Sequence, residues 1–180
     1  METGNGARFE SFLIPIHTTR TRNDNWFAIT GNDWTCFHRA CWRGASIDII
    51  KSLLDVGGGK ELVMMTDSWN RAALQWACYG GASFDVMKML IDLGGRELVM
   101  KQDYNDSTAL HYLCFAINKH DNVANKIKLM LQVPGTEVIL TEKNDDGETP
   151  FDKATAKGAS NKIEALLQPR MIKKRTRKCR

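Results

Sequence analysis

The sequence predicts an all-α solenoid of stacked helix-turn-helix units, about three full repeats followed by a partial C-terminal one. Three observations predict it. A segment of about 36 residues recurs along the chain, the apolar residues within each copy follow helical spacing, and glycines stand where each copy must turn.

The first copy, Thr35 to Val63, reads T-C-F-H-R-A-C-W-R-G-A-S-I-D-I-I-K-S-L-L-D-V-G-G-G-K-E-L-V. The second, Ala72 to Val99, reads A-A-L-Q-W-A-C-Y-G-G-A-S-F-D-V-M-K-M-L-I-D-L-G-G-R-E-L-V, and with one glycine gapped fourteen positions are identical. A third copy starts at Thr108 as T-A-L-H-Y-L-C and resumes at Ile127 as I-K-L-M-L-Q-V-P-G-T-E-V-I-L. A fourth starts at Thr149 as T-P-F-D-K-A and ends near Leu167. Phe37, Leu74, Leu110 and Phe151 are therefore equivalent, at intervals of 37, 36 and 41 residues. About four extra residues between Cys114 and Ile127, and one more before Thr149, lengthen the last interval. Insertions of that kind belong in turns.

Each unit opens with a short helix. Phe37, Ala40 and Cys41 stand at i, i+3 and i+4, as do Leu74, Ala77 and Cys78, and Leu110, Leu113 and Cys114, which puts each trio on one inner face. A threonine at the helix start caps free backbone N–H groups, and a small Ala40 or Ala77 lets neighbouring helices approach. Gly44 or Gly80-Gly81 makes the turn, and the stripe Ile47, Ile50, Leu53, Leu54 or Phe84, Met87, Leu90, Ile91 makes a second helix. Gly57 to Gly59, Gly94-Gly95 and Pro134-Gly135 stop that helix. Two short amphipathic helices cannot hide their apolar faces alone, so each unit stacks on the next and the core runs along the array.

These residues resemble a known family. Thr108-Ala109-Leu110-His111, with Thr35-Cys36-Phe37-His38 and Thr149-Pro150-Phe151 in register, is similar to the T-P-L-H-x-A signature of ankyrin repeats. Gly44 to Leu54 and Gly81 to Ile91 look like the family's second helix. The resemblance covers about residues 33 to 168 and implies a binding scaffold rather than an enzyme. Ankyrin units usually run 33 residues. These are longer because Lys60-Glu61-Leu62-Val63-Met64 and Arg96-Glu97-Leu98-Val99-Met100 extend the link after the second helix, an extra short turn or extended segment whose Leu and Val are expected to pack on the next unit. Gln75 and Asp152 replace the signature histidine.

The array divides at about 33–67, 68–103, 104–144 and 145–168. Residues 1–32 do not match the repeat and read as a degenerate N-terminal cap or leader, with apolar patches at Phe9, Phe12, Leu13, Ile14 and Ile16 and at Trp26 to Ile29. Residues 169–180 read as a basic disordered tail. The formal charge of +4 misleads, because Arg170 to Arg180 holds seven of the 25 basic residues and no acid, and the remainder carries −3. Lys173, Lys174, Arg175, Arg177 and Lys178 give the alternative function, a nuclear or nucleic-acid-associated adaptor using the tail for import or phosphate contact.

No stretch approaches the roughly 18 uninterrupted apolar residues of a membrane span, and Met1 to Phe9 lacks the charge and apolar run of a secretory leader. The expectation is an intracellular protein, cytoplasmic or nuclear, without membrane contact. Five cysteines agree. Cys41, Cys78 and Cys114 recur at the repeat interval, so stacked equivalents sit roughly 8–10 Å apart, beyond the reach of a disulfide. Free thiols follow.

His38 with Cys41, and His111 with Cys114, stand three apart and offer at most two metal ligands each. Gln75 interrupts the series and no C-x-x-C occurs, so a structural histidine is the better reading, with no metal and no cofactor. No nucleophile, base and acid are arranged for catalysis. The glycines follow helices, whereas a phosphate loop precedes one. Asp145-Asp146-Gly147-Glu148 reads as a hairpin tip.

What remains is surface. In the resembled family the position after the signature histidine points into the concave groove, which implicates Arg39, Trp76 and Tyr112. One turn on, Trp42, Tyr79 and Phe115 either flank the groove or pack between units. Trp69, Asn70 and Arg71, then Tyr104, Asn105 and Asp106, fall at loop tips. Aromatics with arginine are the composition of binding hot spots, so the expected partner is a protein, of unspecified identity, held by the groove and loop tips.

Overall fold

The computed structural model describes residues 33–169; the cap or leader of 1–32 and the cations from Arg170 onward lie outside the described residues. Nine α-helices occur among them. The first unit carries α1 (Cys36–Trp42), α2 (Ile47–Gly57) and α3 (Lys60–Met64). The second carries α4 (Ala73–Gly80) and α5 (Phe84–Met100), the third α6 (Ala109–Phe115) and α7 (Val123–Leu131), and the fourth α8 (Pro150–Ala156) and α9 (Asn161–Leu167).

The helical trios occupy the core as their spacing requires. Phe37, Cys41, Leu74, Ala77, Cys78, Leu110, Leu113 and Cys114 are fully buried, and Ile50, Met87, Leu90 and Ile127 complete one continuous core under the second helices. The first helices form one layer, α1–α4–α6–α8, whose members approach more closely than those of the second layer, α2–α5–α7–α9. A stack closer on one side bends toward that side, so the first helices line the concave face.

The link after the second helix differs from the expected turn or extended strand. Gly58, at φ 88°, ends α2, and the chain reverses and re-enters a helix at once as α3, where Leu62 and Val63 are fully buried and packed toward α5 of the next unit. In the second unit the same run continues from α5 through a kink at Gly95 (φ 58°, ψ −150°), a backbone conformation that side-chain-bearing residues rarely adopt. The third unit shortens it to a 3₁₀ turn at Glu137–Leu140. Burial of a Leu-Val or Ile-Leu pair drives all three forms, and helix satisfies the backbone of a buried link where an extended strand without a partner would not.

Between units the chain makes hairpins closed by isolated antiparallel bridges, Thr66 to Ala72 and Gln102 to Thr108. Asp33, Asn70, Asp106 and Gly147 occupy the same left-handed position in successive units. Successive tips are joined: the Tyr104 N–H donates to Trp69 O at 3.1 Å, and the Asp145 N–H donates to Asn105 O at 3.0 Å. The expected hairpin tip at Asp145 to Glu148 is present, held by the Glu148 N–H donating to Asn144 Oδ1 at 2.9 Å.

Candidate protein-binding face

The signature histidines are structural. Thr35 N–H donates to His38 Nδ1 at 3.2 Å, and His38 Nε2 lies 3.0 Å from Met65 O, so the ring is neutral, accepting on one side and donating on the other. His111 repeats this with Thr108 N–H and Glu148 O. Gln75 does the same work with an amide: Oε1 accepts from Ala72 N–H at 2.7 Å and Nε2 donates to Lys101 O at 3.2 Å. Asp152 accepts from Thr149 N–H at 2.8 Å in the fourth unit. One acceptor inside the helix start and one donor toward the next hairpin explains why glutamine can replace histidine.

Burial holds His38 and His111 below the usual histidine value of 6.5. The unfolded chain therefore binds more protons than the folded one once the pH falls below that value, so the stability these rings provide is complete above it and is lost as pH drops toward their folded values. A His38→Gln/His111→Gln variant copies Gln75. It is expected to match the wild type in urea midpoint at pH 7.5 and to lose less of that midpoint at pH 5; equal losses would contradict the assignment.

Cys41, Cys78 and Cys114 are buried free thiols. Burial pushes all three up, Cys114 to about 12, which keeps them protonated core fillers rather than nucleophiles or thiolate ligands. Among the described residues no three His, Cys, Asp or Glu side chains gather as a metal would require, and no helix is long and apolar enough to cross a membrane.

The sequence did not mark His120 and Lys126. The insertion after α6 winds through a 3₁₀ turn, Ile117–Lys119, and carries His120 to the end of α4, where its Nε2–H donates to Cys78 O. Lys126, 3% exposed, donates to Ala82 O at 2.7 Å and to His120 Nδ1 at 3.0 Å. The pair caps carbonyls at and just beyond the C-terminal end of α4, where the Lys126 charge is favoured. Burial is the main cause that lowers His120 to about 4, with the Lys126 charge second. The only signal in the sequence was the extra length itself.

On the concave face the aromatic side chains meet in a ladder. Trp34 lies 4.8 Å from Trp76 and 5.4 Å from Trp42 between ring centres. Trp42 meets Trp76 edge-on at 6.3 Å, Trp76 meets Tyr79 edge-on at 6.3 Å, and Tyr79 meets Tyr112 edge-on at 6.2 Å and stacks on Phe115 at 6.1 Å. Aromatic pairs at these separations and tilts are mutually stabilising. Trp42, Tyr79 and Phe115 thus pack across units and also reach solvent, Phe115 being 42% exposed.

Trp76 and Tyr112 are half-buried and tied down. Trp76 Nε1–H donates to Asp67 Oδ2 at 3.2 Å, and the Tyr112 hydroxyl donates to Asp103 Oδ2 at 2.5 Å. The same carboxylates organise the hairpins: Asp67 Oδ1 accepts from the N–H groups of Trp69 and Arg71, and Asp103 Oδ1 from those of Asn105 and Ser107. Arg71 pairs with Asp67 at 2.9 Å while lying over the Trp76 ring at 4.2 Å. Arg39 is partly buried at the register of Trp76 and Tyr112. Trp69 and Tyr104, 52% and 68% exposed, project from the tips. Trp34, not singled out from the sequence, opens the ladder, and among the described residues its buried Nε1–H meets no acceptor.

The repeat geometry has a match among known families: a model for ankyrin repeats fits residues 37–127 in three copies. The chain belongs to the ankyrin-repeat family. The fourth unit lies beyond the matched residues, yet its Thr149 capping box at α8 reproduces that of α1. Among curated proteins, no match is found. Ankyrin repeats are in general protein–protein interaction modules and typically non-catalytic scaffolds. In this ankyrin array the sequence-predicted residues Trp42, Trp76, Tyr79 and Tyr112 lie within one ladder, with Arg71 stacked on it and also near Trp69 at 5.8 Å. Tyr104 stands apart from the ladder, at a hairpin tip. Lys173, Lys174, Arg175, Arg177 and Lys178 fall outside the described residues.

Proposed function

We propose that the chain holds a protein partner along its concave face, by the aromatic ladder and the hairpin tips, without a cofactor. The observation that carries this reading is the ladder's continuity: six rings from three units run side by side on a face that a solenoid leaves open. Interfaces concentrate their energy in such aromatic and arginine clusters. The exposed apolar residues of the outer face, Val56 and Leu93, belong to no comparable cluster of rings.

Affinity capture from cell extract tests the reading. A Phe115→Ser/Trp69→Ser variant changes only exposed rings, so it is expected to keep the wild-type circular dichroism and to capture about tenfold less of the wild type's partner. Val56→Ser/Leu93→Ser on the outer face should capture as the wild type does. If the first variant retains full capture, the concave reading is wrong.

A further inference from the structure

The rings of the ladder do not stand alone. At the equivalent position of each of the first three units, Trp42, Tyr79 and Phe115, a cation lies over the ring: Arg43 at 4.5 Å, Lys119 at 4.6 Å and Lys157 at 4.4 Å. The three cations come from unrelated places. Arg43 follows its own ring, Lys119 comes from the insertion of the third unit, and Lys157 from the end of α8. The result is one ring–cation composite per unit. Among the described residues none of these cations has a carboxylate within ion-pair distance, since the ion pairs found are those of Arg71, Lys88 and Lys153.

One acid, Asp121, follows Lys119 by two residues, and its charge acts on His120 and Lys126. The two acids that approach the ladder, Asp67 and Asp103, are buried and already hold Arg71, Trp76, Tyr112 and the hairpin N–H groups. The hairpin acids Asp106, Asp145 and Asp146 gather at the N-terminal ends of the first helices, whereas the composites stand at the C-terminal ends. Other acids, Asp55, Asp85 and Asp92, line a groove between α2 and α5 on the outer face together with Lys51 and Lys88. A chain whose residues 1–169 sum to −3 thus carries three of its unpaired cations in a row on this edge of the groove.

Resting on the reading of the concave face as a protein-binding surface, we propose that its partner is an extended acidic segment, with carboxylates at about every third residue. Stacked helices stand roughly 8–10 Å apart, and a chain extended as a polyproline II helix advances about 3.1 Å per residue with every third side chain on the same face, so carboxylates spaced three residues apart match one composite each. A guanidinium or ammonium held over a ring keeps N–H donors directed outward, already ordered for a carboxylate. The chain's own basic tail, residues 170–180, has the wrong charge to be the occupant. Single-stranded nucleic acid fits less well, because bases need open ring faces to stack on. Here Trp42, Trp76, Tyr79 and Phe115 each carry a cation on a face, and three of the six ring pairs meet edge-on.

The test is fluorescence anisotropy with three labelled probes: a Gly/Ser peptide with glutamate at every third position, the same peptide with glutamine there, and an oligothymidylate. Each is titrated with the full-length chain and with Arg43→Gln/Lys119→Gln/Lys157→Gln, which leaves the tail intact so that tail binding is common to both proteins. The expected result is binding of the glutamate peptide that weakens about tenfold in the variant and weakens with salt. Equal binding to both proteins, or no binding of the glutamate peptide, overturns the proposal. Equal affinity for the glutamine peptide overturns the acidic preference while leaving the concave face as a protein-binding surface, which the capture experiment judges separately. Preference for oligothymidylate that the variant abolishes overturns it in favour of nucleic acid.

Discussion

Replacing Gly80 with alanine is expected to lower the stability of the array by about 3 kcal/mol, read as a fall in the urea midpoint at unchanged slope. Gly80 ends α4, and a Cβ built there would lie 1.8 Å from the Trp42 carbonyl oxygen and 2.5 Å from its carbon. The obstruction is backbone, at the last residue of α1, so no side chain can rotate away and the two first helices must separate. That separation would act where the concave layer is tightest and where Trp42 meets Trp76, so the variant should also loosen the ladder. A midpoint within experimental error of the wild type would show that α1 and α4 do not approach this closely.

The second large effect is expected at Trp76. Its ring touches Trp34, Trp42 and Tyr79, carries Arg71 on one face, and donates to Asp67. Trp76→Ala removes the centre of the ladder and should cost about 3 kcal/mol, the low end for a truncated tryptophan because the site is partly open to solvent. Trp76→Phe keeps a ring there and loses the indole N–H. Asp67 still accepts from Arg71 and two hairpin N–H groups, so that change should cost only about 1 kcal/mol. Equal losses in the two variants would mean that the hydrogen bond, not ring packing, holds the face together. Because truncation damages fold and face together, Trp76→Ala reports on the scaffold, and the exposed Phe115 and Trp69 are the better probes of binding.

Much of this was legible in the chain. The periodic trios at Phe37, Leu74 and Leu110 fixed the core because helical spacing is a property of the residues alone. The aromatic positions Trp42, Tyr79 and Phe115 could be placed on one side by register. Their partners could not. Lys119 and Lys157 reach their rings from an insertion and from the end of another helix, and only the stacked fold brings them there. Lys60 to Met64 resembled a link because five residues are too few to show helical periodicity, and its helix depends on burial of Leu62 and Val63. His120 and Lys126 were hidden for a similar reason: their role is to cap carbonyls more than forty residues away in the chain.

The most direct measurement of the central claim is site-specific photocrosslinking. A photoreactive phenylalanine analogue is placed at Phe115 on the concave face or at Val56 on the outer face, in the full-length chain incubated with cell extract. Both positions are exposed, at 42% and 80%. The ladder predicts a discrete crosslinked partner from position 115, competed by unlabelled wild-type protein, and none from position 56, although position 56 is the more exposed. The same discrete product from position 56, with none from 115, would contradict it.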